Sequence, residues 1–102
     1  KRMLAATAKA TVVVTNPTHY AVALVYRRDK GPAPIVVAKG RDLVAQRIRA
    51  IARENGVPII ENPSLARALH AGAEIGDTIP AALFGAVAEV LAYLIRIKQL
   101  IL

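Results

Sequence analysis

The 102-residue chain contains no cysteine, which excludes disulfides and every thiolate metal site. Histidine is nearly as scarce. His19 and His70 stand far apart, and neither an HxxxH nor an HExxH spacing occurs, so no metal centre is expected. The aromatic residues Tyr20, Tyr26, Phe84 and Tyr93 are too few and too scattered for a base-stacking platform. A Gly-rich phosphate loop, a Ser/His/Asp constellation and a working carboxylate pair are also missing. Glu54 and Glu61 are close in sequence but fall on either side of a turn and a strand. Neither a cofactor nor a turnover enzyme is therefore expected. Repeats and low-complexity segments are absent too.

Long hydrophobic runs are also lacking. The longest apolar stretch, 79–95, starts with Pro80 and carries Glu89 at its centre. A bilayer span needs about 20 mostly apolar residues without such a charge, so a buried helix is expected. Lys9 interrupts the apolar run that follows Lys1 and Arg2, and no secretory signal is expected. The first residue is not Met, and the chain is expected to be a piece of a longer one.

What is present suits one small domain with one core: 55% of residues are hydrophobic and 21% charged. Lys and Arg number 14 against 7 Asp and Glu, a formal net charge of +7. Such a field favours acidic partners, nucleic acid or an anionic membrane surface without choosing among them. With the Arg-rich segment 41–54 it keeps a basic nucleic-acid-binding module as the alternative reading.

Residues 1–10 read as a linker or helical lead-in, and 11–102 as the domain proper. The β-branched run 11–15 reads as a buried strand, 21–26 and 35–39 as two more, and 58–60 as a short fourth. Residues 27–34 form a charged loop with Gly31, Pro32 and Pro34. Segment 41–54 reads as a helix with Val44, Ile48 and Ile51 inward and Arg47, Arg49 and Arg53 outward; Asn55-Gly56 stops it. Strand, helix, strand at this spacing implies a right-handed crossover with parallel pairing. Asn62-Pro63 opens a helix ending near Gly72. Asp77 or Thr78 is expected to cap a last helix with Pro80 in its first turn, running to about residue 99. Its apolar face would be Ile79, Leu83, Val87, Val90, Leu91 and Leu94. The expected architecture is α/β: a small single domain with a four-stranded mixed sheet and helices packed on its faces.

One place carries chemistry. Thr15-Asn16-Pro17-Thr18-His19-Tyr20 stands between two strands. The carbonyl of an Asn is ordinarily attacked by the next backbone nitrogen, but Pro17 has no N–H. The remaining intramolecular nucleophile is the side-chain amide of Asn16, which can close a five-membered succinimide and expel the Pro17 nitrogen. An amide is a poor nucleophile. The fold must supply a held geometry, worth about 7–11 kcal/mol at best, a donor to the developing oxyanion, and proton traffic. His19 is the nearby side chain that titrates near neutrality; Thr18 offers a hydroxyl or a backbone N–H. A two-residue hairpin loop would strain Pro17, whose φ is locked near −65°. Most Asn-Pro pairs merely start turns. Asn62-Pro63 is the internal control, with Asn62 suited to an N-cap and Pro63 to the first helical position; it is expected to stay intact. His70, at a helix end, is expected to supply a favourable charge there.

Val12-Val13-Val14-Thr15-Asn16-Pro17-Thr18-His19-Tyr20-Ala21-Val22-Ala23-Leu24 closely resembles the signature of the type III secretion export-switch family, which has flagellar and injectisome members. The likeness continues in Val37-Ala38-Lys39-Gly40, in Gly56-Val57-Pro58-Ile59-Ile60-Glu61-Asn62 and in Leu65-Ala66-Arg67-Ala68-Leu69. It extends through Glu74-Ile75-Gly76 and Ile79-Pro80 to Ala86-Val87-Ala88-Glu89-Val90-Leu91-Ala92-Tyr93, covering about 9–99. The resemblance implies a cytoplasmic domain at the inner-membrane face, hung from transmembrane helices before residue 1. It implies one self-cleavage at Asn16-Pro17, with Thr18 and His19 assisting, that leaves two fragments folded together and switches the export apparatus from early to late substrates. Implied partners are export-gate and other apparatus proteins, a secreted length-control protein and the export substrates. The segments Glu74-Ile75-Gly76 and 86–93 lean toward the flagellar members. Loop 27–34 and the basic face of 41–54 read equally as docking surfaces or as ordinary solvated faces.

Overall fold

The computed structural model describes residues 2–17, 19–31 and 33–101. Helix α1 (Arg2–Thr7) leads into strands β1 (Val12–Asn16) and β2 (Tyr20–Val25). Strand β3 (Ile35–Arg41), helix α2 (Leu43–Glu54), strand β4 (Ile59–Glu61), helix α3 (Pro63–Gly72) and helix α4 (Phe84–Arg96) follow. The sheet order is β3-β2-β1-β4, with β1 antiparallel to β2, β2 antiparallel to β3, and β4 parallel to β1. The expected α/β fold is thus observed. β3 and β4 do run the same way, but they occupy opposite edges. The crossover through α2 spans the sheet, and β4 pairs with β1 instead of β3.

The valine run forms because β1 is central and covered on both faces. Val12, Val13 and Val14 are fully buried, and alternation along a strand sends them to opposite sides. Val12 and Val14 join Val22, Leu24 and Val36 beneath α3 and α4. Val13 joins Ala21, Ala23 and Ala38 beneath α2, with Met3 and Leu4 of α1 packed alongside. A register shift opposite Ala23 and Leu24 skips Val37, so that Val37 and Ala38 both pack toward α2. That is the effect of a β-bulge, which a period-2 reading misses.

Two helix expectations need correction. The inward stripe of α2 is Ala45, Ile48 and Ala52, whereas Val44 is exposed and Ile51 half-buried. The small alanines win this face because it lies against alanines of β2 and β3, where helix and sheet approach closely. The last helix begins at Phe84, after a 3₁₀ turn at Ala81–Leu83, and no side chain caps it. Pro80 is extended (φ −59°, ψ 144°), which keeps Asp77 and Thr78 outside the helix. The carboxylate of Asp77 instead accepts the Glu74 N–H at 3.1 Å, and Thr78 forms a bridge to Ile35. The expected inward residues of α4 are buried from Val87 to Leu94, with Leu83 at the margin. Among the described residues no helix is long and apolar enough to cross a membrane.

Candidate functional site

Asn16 ends β1, Tyr20 begins β2, and the two are register partners. The connection is therefore three residues, 17–19, and the conflict between Pro17 and a two-residue loop does not arise. Asn16 is 9% exposed, held in the sheet at a point where most strand residues are deeply buried. The backbone N–H of His19 donates to the Asn16 carbonyl at 2.9 Å. That oxygen would carry the charge if the Asn16 side chain attacked. The imidazole of His19 is on the exposed surface, open to solvent. Thr18, expected to assist, lies outside the described residues.

Two groups not anticipated from the sequence hold the turn from its far side. Nη1 of Arg49 donates to the Pro17 carbonyl. The Asp42 N–H donates to the His19 carbonyl at 3.0 Å. Asp42, which precedes α2, has φ 54° and ψ −119°, a conformation that costs a residue with a Cβ about 1–3 kcal/mol. Strain is therefore stored at Asp42, one hydrogen bond away from the turn. Arg49 could have been found by weighing the alanines of α2. Four residues after Ala45 and three before Ala52, it borders the inward stripe, while Arg47 and Arg53 point to solvent.

The other flank of β1 brings the second Asn-Pro pair beside the first. The parallel register matches Thr15 with Glu61, and Asn62 N–H donates to the Thr15 carbonyl at 2.9 Å. Asn62 caps α3 as expected: its side-chain oxygen accepts from Leu65 N–H at 3.2 Å, and Pro63 occupies the first turn. The cap holds that side chain by its oxygen, turned toward the Leu65 N–H of α3.

His70 stands in the last turn of α3, where its surroundings work against the expected charge. Its ring lies 4.8 Å from that of Tyr20, and its pKa is pushed down by burial, then by the neighbouring Lys39 and Arg41 cations, against an opposing Glu74. Lys39 takes the charge role instead, with Nζ 2.9 Å from the His70 carbonyl. In loop 27–34, Arg27 pairs with Asp29 at 3.4 Å on the exposed surface. Pro34 helps line an apolar cavity of about 350 Å³ with Tyr26, Phe84, Val87 and Leu91. Among the described residues no cluster of side chains suits a metal ion.

The profile described as the FlhB HrpN YscU SpaS Family matches residues 1–94. Flagellar biosynthetic protein FlhB of Escherichia coli (strain K12) is 58% identical over 99 residues, 97% of this chain and 26% of that protein. The FlhB of Bacillus subtilis (strain 168) is 48% identical over 99 residues, again 97% of this chain but 28% of its own length. The chain thus spans about a quarter of these relatives. The crystal structure of the cytoplasmic domain of FlhB from Shewanella putrefaciens superposes with a TM-score of 0.91 at 46% identity, covering 96% of this chain and 75% of that one. A mutated EscU C-terminal domain follows with a TM-score of 0.84 at 33% identity, covering 89% and 91%.

Proposed function

Since the chain belongs to the FlhB HrpN YscU SpaS family, we propose that it is the cytoplasmic domain of a type III export apparatus component that cuts its own backbone once, between Asn16 and Pro17. The observation that carries the reading is the His19 N–H on the carbonyl of a buried, strand-held Asn16, at 2.9 Å. In the proposed step the Asn16 side-chain nitrogen attacks the Asn16 main-chain carbon. The oxygen becomes an oxyanion, and the hydrogen bond from His19 strengthens as its charge grows. The carbon–nitrogen bond to Pro17 then breaks, leaving a succinimide on residue 16. The proton lost by the attacking amide is balanced by one gained at the Pro17 nitrogen. His19, exposed to solvent, is suited to exchange these protons with water. Arg49 and Asp42 hold the carbonyls of Pro17 and His19, fixing the turn while the bond breaks. The reaction is intramolecular and happens once per chain, so no turnover is claimed.

The cut would reshape the surface at 17–20, and with it which proteins the apparatus exports. The high identity to flagellar relatives supports the flagellar setting. Residues 1–10 are proposed to lead in from a membrane region that places the domain on the cytoplasmic face of the inner membrane. Partners would be export-gate and other apparatus proteins, a secreted length-control protein and export substrates. Loop 27–34 and the exposed Arg47 and Arg53 are candidate docking surfaces for them.

The test is intact mass under denaturing conditions, with an Asn16→Ala variant alongside. Fragments 1–16 and 17–102 in the parent and a single chain in the variant would support the reading. A parent that stays whole through long incubation at neutral pH would sink it.

A further inference from the structure

The two edges of the sheet are treated differently. The β3 edge is covered by the segment that follows α3. Gly76 N–H donates to Val36 C=O at 2.7 Å, Val36 N–H to Asp77 C=O at 2.9 Å, and Ile79 N–H to Pro34 C=O at 3.0 Å. The β4 edge has no such cover among the described residues. Val13 N–H bonds Pro58 C=O and Asn62 N–H bonds Thr15 C=O, both at 2.9 Å. In a parallel ladder alternate residues face the partner strand, so the N–H and C=O of Ile59 and Glu61 face outward.

Beside this edge runs an open groove of about 420 Å³. Its far wall is α4, through Ala86, Glu89, Val90 and Tyr93. These recur at the three- and four-residue spacing of one helix face. Half-buried Ile59 and Ile60 form the near wall with Glu61. In a chain with 14 Lys and Arg against 7 acids, the charged residues lining this groove are Glu61 and Glu89. Neither is in an ion pair among the described residues.

We propose that the β4 edge is a docking site for an extended peptide segment of a partner, added as a fifth strand and carrying Lys or Arg among alternating apolar residues. An incoming strand settles about 4.8 Å from β4 and exchanges main-chain hydrogen bonds with Ile59 and Glu61. Its apolar side chains meet Ile60, Ala86, Val90 and Tyr93 on the α4 side, and its cations fall on the side of Glu61, with Glu89 adding its charge from the α4 wall. A second copy of this chain fits less well, because joining β4 to β4 sets one acidic groove, with its Glu61 and Glu89, beside another. Three residues of strand give little ladder, so the binding is weak and reversible. The free edge is the side of β4 turned away from β1, and the proposal does not require the Asn16-Pro17 bond to be cut.

The test titrates the 15N-labelled domain with acetyl-Thr-Lys-Val-Lys-Val-Thr-amide at about 0.15 M salt, where long-range charge attraction is screened. A control peptide of equal charge has proline in place of both valines, which removes two main-chain donors and disfavours its pairing as a strand. The expected result is saturable amide shifts centred on Ile59, Glu61 and the groove face of α4, with slower hydrogen exchange at Ile59 and Glu61. The proline peptide should fail to produce them. The exposed Glu61→Lys and Glu89→Lys changes together should weaken binding by about tenfold or more. Equal shifts with both peptides would reduce the effect to charge attraction and overturn the proposal. Shifts centred elsewhere, no saturable response, or concentration-dependent self-association through the same amides would overturn it as well.

Discussion

Replacing the peptide nitrogen of residue 19 by an ester oxygen deletes one hydrogen, the one 2.9 Å from the Asn16 carbonyl, and leaves the imidazole in place. A hydrogen bond between neutral groups contributes about 0.5–1.5 kcal/mol net, and one to a charged group about 1.5–3. Only the difference between ground and transition state speeds the reaction, so roughly 1–2 kcal/mol is at stake. An enclosed oxyanion hole reaches about 2.7–4 kcal/mol, but Pro17 is half-buried and His19 exposed, so the lower range applies here. The ester should therefore cut about 5- to 30-fold more slowly. His19→Ala keeps the N–H and removes only the exposed ring, and should slow the cut less than the ester does. The assay is the fraction of whole chain against time, read by mass under denaturing conditions. An ester that cuts at the parent rate, or an alanine variant slower than the ester, would refute the assignment of the donor.

Arg49→Ala should slow the same cut about tenfold by freeing the Pro17 carbonyl, with Arg49→Lys partly restoring the rate; equal rates in all three would remove Arg49 from the site. Asn62→Ala should lower the unfolding free energy by about 1 kcal/mol through loss of the α3 cap, visible as a lower urea midpoint, while Asn62-Pro63 stays whole in the parent by mass. The lowered pKa of His70 sets a sign. Its folded value lies below the unfolded 6.5, so its contribution is fully present above pH 6.5 and fades as pH falls through the folded value. Between pH 7.5 and 5 the urea midpoint of the parent should therefore drop more than that of His70→Gln, and the opposite order would contradict the burial argument.

The sequence revealed the strands because each stands where a β-branched run meets turn chemistry, and it revealed Asn62-Pro63 because a cap and a first-turn proline are local devices. What it hid was tertiary. The pairing of β4 with β1, which sets Asn62 beside Asn16, depends on how a helix of 12 residues crosses the sheet, and no local pattern carries that. By hydrophobicity Val44 and Ile51 outweigh Ala45 and Ala52 and put Arg49 on the outer face; against a face of alanines, small size decides the contact instead. Its place at a helix end makes His70 read as a charge there, while its pKa is lowered first by burial and then by Lys39 and Arg41, which arrive from β3. A two-residue loop would strain Pro17; the register makes the connection three residues, and the unusual backbone sits at Asp42.

The central position of β1 changes the molecularity of unfolding. In the whole chain, unfolding is a unimolecular event and its midpoint is indifferent to dilution. In the isolated domain of residues 1–102, once the bond after Asn16 is cut, the strand carrying Val12, Val13 and Val14 belongs to a 16-residue peptide. It lies between β2 and β4, with no covalent tie to either. Each of those buried valines is worth about 1.5–3 kcal/mol, so the pieces hold together, but the folded state is now a complex with a dissociation constant. Every tenfold dilution costs it about 1.4 kcal/mol, and its reassembly becomes second order. A cut chain could thus exchange its first strand with a free copy of the same peptide, a reaction closed to the uncut molecule.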